Sequence, residues 1–146
     1  MTTVNKSALV PYSAHEMYAL VTDVESYPRF LPWCGGARVL SREGDLIVAS
    51  IDIAYKGVHK TFTTRNRAHQ DKMLEMRLVE GPFKRLHGHW QFHRLDADAC
   101  KVTLDLEFEF SNKLIAIAIG PVFHAIATSL VDSFRQQAVA VYGPRS

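Results

Sequence analysis

Hydrophobic and polar residues alternate along much of residues 37–110, as they do in strands with one buried and one wet face. The alternation is clearest in residues 104–110, where apolar side chains are separated by acidic ones. Turn residues divide the region into similar segments, which predicts consecutive hairpins and an antiparallel sheet with one apolar face. The other positions predicted to face inward are Ile47, Ala49, Ile51, Ile53, Leu74, Met76, Leu78, Leu86, Gly88, Trp90 and Phe92.

The segment before this sheet predicts a strand, a helix and an irregular stretch. Residues 2–10 alternate weakly and stop at Pro11, which is typical of a strand. Ser13 and Glu16 form the S-x-x-E pattern of a capping box ahead of apolar residues at helical spacing. Residues 28–33 then set prolines among large apolar side chains, and they are expected either to plug one end of the core or to form the rim of a cavity.

A long helix is predicted over residues 113–142, because apolar residues recur there at helical spacing. Ser111 or Asn112 can serve as its N-cap, and Gly143 followed by Pro144 is a stop signal. Pro121 removes a backbone donor inside the helix, so we expect a kink there or two helices that meet. An alternative hypothesis is that this break is a gate, because apolar residues lie on both sides of it.

These elements predict an α+β fold with a helix-grip arrangement. A curved antiparallel sheet of six or seven strands wraps on the long C-terminal helix, and small helices lie near the N-terminus. The 146 residues suit one domain, 1–146. The space between sheet and helix is either a filled core or a ligand pocket, since apolar stripes at strand spacing are compatible with both.

Charge and cysteine content narrow the possible partners and compartments. The formal net charge is +2 with both signs mixed along the chain, which predicts no DNA partner. Cys34 and Cys100 are isolated and are expected to be reduced thiols in a cytoplasm. The N-terminal residues lack signal-peptide and transit-peptide features, and the longest apolar run, residues 114–119, is shorter than a membrane span. We therefore expect a cytoplasmic protein.

Five segments carry a resemblance to a known family: Val10-Pro-Tyr-Ser13, Asp23-Val-Glu-Ser-Tyr-Pro-Arg-Phe-Leu-Pro-Trp-Cys34, Phe62-Thr-Thr-Arg-Asn66, Leu78-Val-Glu-Gly-Pro-Phe-Lys84 and Val141-Tyr-Gly143. They resemble the coenzyme Q-binding START family, which includes the mitochondrial coenzyme Q-binding protein and the bacterial RatA proteins. RatA proteins are described as ribosome-association toxins and are also labelled oligoketide cyclase or lipid-transport proteins. The resemblance implies a START fold with a hydrophobic tunnel that binds a ubiquinone-like polyprenyl lipid. The lack of a transit peptide favours the bacterial branch.

Three functions follow from the pattern and the resemblance. The first is non-catalytic binding or transport of ubiquinone or a related polyprenyl lipid in support of respiration, with transient contact at the inner membrane. The second is a RatA-type toxin that binds the large ribosomal subunit and blocks subunit association. The third is a polyketide aromatase or cyclase. The inward positions carry almost no titratable side chain, which disfavours catalysis, and Tyr55 is the best candidate for an acid.

The predicted site is a cavity that needs neither a metal nor a cofactor. Its rim or gate is expected at Trp33, Tyr55 and Pro121. A domain of this size can hardly enclose a ten-isoprene chain, so we expect either that the distal tail protrudes or that a shorter lipid binds. The residues predicted to line the cavity are Ile51, Ile53, Phe62, Met76, Trp90, Phe92, Leu106, Phe108, Phe123, Ile126 and Leu130.

Two further groups have competing interpretations. His87, His89 and His93 share strand parity and could hold a metal, but they alternate with inward residues and are expected on a wet face opposite Glu107 and Glu109. Arg65, together with Asn66, is expected to be exposed. It could contact ribosomal RNA or simply pair with an acid, and the absence of a continuous basic stripe favours the ion pair.

Overall fold

The computed structural model describes residues 2–145 and confirms the predicted fold class, with seven strands in one antiparallel sheet. Along the sheet the strands follow the order β1-β7-β6-β5-β4-β3-β2, so β1 and β2 form its edges. The strands are β1 (Thr2–Val10), β2 (Cys34–Glu43), β3 (Leu46–Tyr55), β4 (Val58–His69), β5 (Met73–Glu80), β6 (Phe83–Asp96) and β7 (Ala99–Phe110). The helices are α1 (Ala14–Thr22), a 3₁₀ helix (Val24–Arg29) and α2 (Lys113–Tyr142).

The start of α1 carries the complete capping box that the sequence predicts. The Ser13 hydroxyl accepts from the backbone N–H of Glu16 at 3.0 Å, and the Glu16 carboxylate accepts from the backbone N–H of Ser13 at 2.9 Å. The same carboxylate also accepts hydrogen bonds from both terminal nitrogens of the Arg145 guanidinium, at 2.8 and 3.0 Å. This charged contact lowers the pKa of Glu16 to about 2, and it ties the C-terminal residues to the first helix.

The helix α2 runs without a break through Pro121, so it is one helix and not two. Asn112 is the N-cap, and its side-chain oxygen accepts from the backbone N–H of Ile115 at 2.9 Å. At the other end Gly143 has a φ of 88°, and its N–H closes the last turn on the carbonyl of Val139 at 3.0 Å. The side of α2 that was predicted to be apolar faces the sheet, with Phe123 and Phe134 4% and 1% exposed.

By length and composition, α2 could cross a membrane, a property it shares with the core helices of many soluble proteins. The mean hydropathy of its most apolar 18 residues is 2.1, and 28% of that window is buried in the fold. The run of residues 114–119 alone therefore understates how apolar this helix is.

The segment that follows the 3₁₀ helix closes one end of the sheet. The ring of Phe134 on α2 lies 5.4 Å from that of Tyr27, 5.3 Å from that of Phe30 and 5.3 Å from that of Trp90, measured between centroids. All three contacts are edge-to-face, the geometry that aromatic rings prefer. Within residues 28–33, Phe30 makes the contact with α2 that the plug interpretation expects.

Strands β6 and β7 approach each other closely where Gly88 pairs with Leu106. A methyl group on Gly88 would lie 2.2 Å from the carbonyl oxygen of Asp105 and 2.9 Å from the Cα atom of Leu106. Both neighbours are backbone atoms of a central strand, so neither can move aside without distorting the ladder. The absence of a side chain at Gly88 therefore permits this close approach.

Gly88→Ala is expected to lower the free energy of unfolding by about 2 kcal/mol or more, because the added methyl overlaps the backbone of β7. Urea unfolding followed by circular dichroism measures the change. Gly120→Ala is the matched control, since its new methyl would lie 3.6 Å from a ring carbon of Phe110. That distance is an ordinary contact, and the helical preference of alanine, up to about 1 kcal/mol over glycine, offsets the cost of a Cβ directly before Pro121. Equal effects of the two substitutions would contradict the argument.

Candidate ligand-binding site

An apolar cavity of about 80 Å³ lies between the inner face of the sheet and α2. It contains most of the residues predicted from strand parity, which the sheet and α2 bring together around one space. The predicted residues that line it are Ile51, Ile53, Phe62, Met76, Trp90, Leu106, Phe123, Ile126 and Leu130. The other lining residues are Val24, Tyr27, Trp33, Thr64, Asn66, Leu74, Leu86, Leu104, Ala127 and Phe134. Contact of these residues with a ligand remains a prediction.

Two predicted lining residues point inward but lie outside this cavity. Phe108 is 1% exposed and belongs to an aromatic cluster, with its ring 4.8 Å from Phe123 and 6.4 Å from Phe83. Phe92 packs edge-on against Tyr18 of α1 at 5.9 Å. Strand parity identifies the correct face of the sheet, but α1 and the aromatic cluster fill that face beyond the two ends of the cavity.

The three residues predicted at the rim or gate occupy different places. Trp33 is 6% exposed and lines the cavity. Tyr55 is half-buried in the β3–β4 hairpin, outside the lining, with the ammonium of Lys56 5.3 Å from its ring centroid. Pro121 is exposed on α2 and also lies outside the lining. Trp33 is therefore the member of this group with direct access to the cavity.

A polar pair, Thr64 and Asn66, projects into the otherwise apolar cavity. The expectation that Asn66 is exposed beside Arg65 is wrong, because Asn66 shares the parity of Phe62 and is 4% exposed. Arg65, which has the opposite parity, is exposed as predicted. The Thr64 hydroxyl donates to Asn66 Oδ1 at 2.9 Å. Counting in steps of two from Phe62 would have placed both polar residues inside.

Tyr27 is the titratable side chain among the lining residues, and its hydroxyl already has a hydrogen-bond partner. Its hydroxyl donates to the carbonyl of Val21, and burial raises the pKa of the phenol well above its usual value. A buried phenol of this kind is neutral and is a poor proton donor or acceptor for a substrate at neutral pH. The chemistry of the lining therefore suits the binding of an apolar molecule better than acid–base catalysis.

The histidines of β6 lie on the outer face of the sheet, as strand parity predicts. His87 Nε2 is 3.3 Å from a carboxylate oxygen of Glu107, and His89 Nε2 is 3.2 Å from one of Asp105. Glu109 lies opposite Arg85 in the strand register instead, and its carboxylate is 3.5 Å from the ammonium of Lys84. Within residues 2–145, no group of three or more His, Cys, Asp or Glu side chains is placed to hold a metal ion.

A seven-stranded antiparallel sheet that wraps a long C-terminal helix over an apolar cavity defines a START-type, helix-grip protein. The sequence profile of the family described as polyketide cyclase / dehydrase and lipid transport matches residues 10–135. This chain belongs to that family.

Sequence relatives extend over almost the whole chain. The ribosome association toxin RatA of Escherichia coli K12 is 46% identical over 145 residues, covering 99% of this chain and 92% of the relative. RatA of Vibrio cholerae (Classical Ogawa 395) is 48% identical over 143 residues, covering 98% and 99%. The mitochondrial coenzyme Q-binding protein coq10 of Schizosaccharomyces pombe is 27% identical over 139 residues, covering 90% and 84%.

Solved structures share the fold along the full length. The Zhui aromatase/cyclase from Streptomyces sp. R1128 matches with a TM-score of 0.84 at 16% identity, covering 99% of each chain. A START superfamily protein from Mycobacterium smegmatis matches with a TM-score of 0.66 at 22% identity, covering 92% of this chain and 98% of the other. At these identities the similarity concerns the fold alone.

The size of the cavity generates a prediction about Pro121. An engineered protein cavity of roughly 150 Å³ holds benzene, whereas this one measures about 80 Å³. A larger ligand therefore requires α2 or the lining side chains to move. If the proline is a gate, Pro121→Ala will slow both binding and release of the apolar dye N-phenyl-1-naphthylamine several-fold, because a regular helix opens less readily.

Stopped-flow fluorescence measures both rates of this dye. Pro144→Ala is the control, since Pro144 is exposed and follows the end of α2. Rates that Pro121→Ala leaves unchanged would rule out the gate.

Proposed function

We propose that this protein binds a polyprenyl quinone such as ubiquinone in the cavity under α2 and carries it without changing it chemically, in support of respiration. The observation that carries the proposal is the lining itself, which is apolar apart from the Thr64–Asn66 pair, the Tyr27 hydroxyl and the Trp33 indole N–H. Such a surface suits a ligand with a long hydrocarbon part and a small polar head. The coenzyme Q-binding relative supports the choice of a quinone.

The hydrophobic effect supplies enough free energy for such a ligand. A five-carbon isoprene unit contributes roughly 3–4 kcal/mol when it is fully buried, at about 0.8 kcal/mol for each CH₂ group. A headgroup with two or three units is therefore sufficient for micromolar binding after the costs of association. The remaining isoprene units of a natural quinone extend beyond the protein, because the cavity is small even if it widens on binding.

A polyprenyl quinone resides in a bilayer, so the carrier has to meet a membrane to load and unload it. The first turns of α2 provide an apolar surface for this contact, with Leu114 79% exposed and Ile117 76% exposed next to Lys113. Two turns further along the same helix, Phe123 lines the cavity. We place the protein in the bacterial cytoplasm with transient contact at the inner membrane, where an apolar tip flanked by a cation suits an anionic surface.

Catalysis is the less favoured assignment. The aromatase/cyclase neighbour shares only the fold at 16% identity. Among residues 2–145, the lining provides no carboxylate, imidazole, amine or thiol, and the Tyr27 hydroxyl donates to the carbonyl of Val21. An intramolecular cyclisation of a polyketide needs groups that move protons, so the lining supports a carrier.

The test of the carrier function is organic extraction of the purified protein followed by mass spectrometry, with a co-purifying or exchangeable polyprenyl lipid as the expected result. Leu130→Trp should reduce the bound lipid at least about tenfold, because the larger ring occupies the cavity that Leu130 lines. Val139→Trp is the matched control, since Val139 is exposed on the same helix. Absence of any lipid, or equal lipid content in the two folded variants, would count against the carrier.

Association with the large ribosomal subunit is the second candidate function, and two observations favour it. RatA relatives at 46% and 48% identity cover almost the whole chain. On the outer face of the sheet, Arg65 lies directly opposite Arg77, which in turn lies opposite His87. Like charges in register destabilise a strand pair, whereas a bound phosphate backbone would relieve that repulsion. This face points away from the cavity, so the two functions do not exclude one another.

The ribosomal function predicts that the protein co-sediments with isolated large subunits at raised salt. The double variant Arg65→Glu with Arg77→Glu should weaken this association at least about tenfold, because it reverses the charge that faces the phosphates. Arg29→Glu with Arg94→Glu is the control with the same change in net charge at other exposed positions. A wild-type protein that stays in the supernatant, or equal loss in both double variants, would contradict this function.

A further inference from the structure

Thr64 and Asn66 on β4 are the non-aromatic polar side chains of the cavity lining among residues 2–145. They are 5% and 4% exposed, and the Thr64 hydroxyl donates to Asn66 Oδ1 at 2.9 Å. Their partners in the strand register are all apolar, namely Ala49, Leu78, Ile47 and Met76. The pair is therefore an isolated polar spot in an apolar wall.

The hydrogen bond within the pair uses only part of its hydrogen-bonding capacity. The Thr64 hydroxyl donates its hydrogen to Asn66, but its oxygen can still accept, as can the second lone pair of Asn66 Oδ1. The amide nitrogen of Asn66 carries two hydrogens that can donate. Polar groups in an apolar space cost free energy when this capacity is not used, whereas apolar side chains of the same size would avoid that cost. A polar group of a ligand can use this capacity, whether it donates or accepts.

The lining also limits the charge of that polar group. Among residues 2–145, it contains no lysine, arginine, histidine or carboxylate, and burial keeps the phenol of Tyr27 neutral. Arg65, the cation next to the pair in the chain, is exposed and has the opposite strand parity. An ionised headgroup would lose its hydration in the cavity without gaining a counter-ion, so the headgroup that fits is uncharged.

The position of the pair in the sheet favours the recognition of a headgroup. Strand β4 is an interior strand, paired with β3 on one side and β5 on the other, so its backbone holds both side chains in place. Beside the pair, Phe62 and Phe123 also line the cavity, with their ring centroids 6.2 Å apart. A headgroup against β4 therefore leaves an apolar surface for the hydrocarbon chain.

We propose that Thr64 and Asn66 form a headgroup subsite, at which the cavity selects a lipid with an uncharged polar head over a bare hydrocarbon and over an anionic lipid. Asn66 determines this choice, and Thr64 is the positioning residue that holds its amide. The proposal rests on the proposed carrier function and deepens it, because it names the part of the cavity that recognises the head. One or two hydrogen bonds to the head correspond to about a tenfold effect on Kd.

The test uses three ligands that share a decyl chain: decylubiquinone with an uncharged head, decylbenzene with no polar head, and 4-decylbenzoate with an anionic one. Displacement of N-phenyl-1-naphthylamine gives their Kd values. Asn66→Leu should weaken decylubiquinone about tenfold and leave decylbenzene bound equally or more tightly, because leucine keeps the size of the side chain and removes its hydrogen bonds. Thr64→Val should weaken decylubiquinone by a smaller factor, and it carries the test if Asn66→Leu does not fold. The wild type should bind 4-decylbenzoate at least about tenfold more weakly than decylubiquinone.

Two variants are the controls. Met76→Leu changes the lining directly opposite Asn66 without changing its polarity, so it should shift the Kd values of decylubiquinone and decylbenzene by the same factor. Thr63→Val, on β4 at 4% exposure but outside the lining, should change neither value.

Two outcomes would overturn the inference and leave the carrier function intact. One is an equal effect of Asn66→Leu on decylubiquinone and decylbenzene, including no effect on either. The other is binding of 4-decylbenzoate as tight as that of decylubiquinone. If the wild type has no measurable affinity for decylubiquinone, the carrier function fails, and this inference fails with it.

Discussion

The packing of α2 against the apolar face of the sheet is the contact on which the rest of the molecule depends. The helix runs unbroken through Pro121, and strands β6 and β7 of the sheet approach closely at Gly88. Aromatic side chains fill the space at both ends of this contact, around Phe134 at one end and Phe123 at the other. Between them the side chains of the helix and the sheet leave space unfilled, and this space is the cavity.

This arrangement separates the two candidate functions by face. The inner face is apolar apart from a few polar groups, which suits the apolar ligand proposed for it. The outer face carries ion pairs such as His87 with Glu107, together with the opposed Arg65 and Arg77. Successive side chains of a strand point to opposite faces of the sheet. Strand β4 therefore contributes Asn66 to the cavity and Arg65 to the outer surface. The two proposed functions would therefore use opposite faces of the same sheet.

The small size of the cavity and the exposed tip of α2 are connected. A cavity of about 80 Å³ suits a resting state, and a lipid requires it to widen. Leu114 and Ile117 lie at the end of α2 where the helix is least covered, so this end is the part that a membrane contact would displace with least loss of packing. In the proposed carrier, movement of that end would loosen the aromatic cluster around Phe123, which lines the cavity.

The sequence alone determined the elements, their ends and most of their faces. Alternation, the Ser13–Glu16 box and the Gly143 stop are local signals, because each depends on residues that are close in the chain. The sequence also indicated most of the cavity wall. Tertiary structure decided how many strands pair, that α2 continues through Pro121, and that Phe92 and Phe108 face α1 and the aromatic cluster instead of the cavity. It also revealed the unpartnered indole N–H of Trp33 and the Thr64–Asn66 pair in the cavity lining. Those outcomes depend on strand register and sheet curvature, which bring together residues far apart in the chain and therefore leave no local pattern to read.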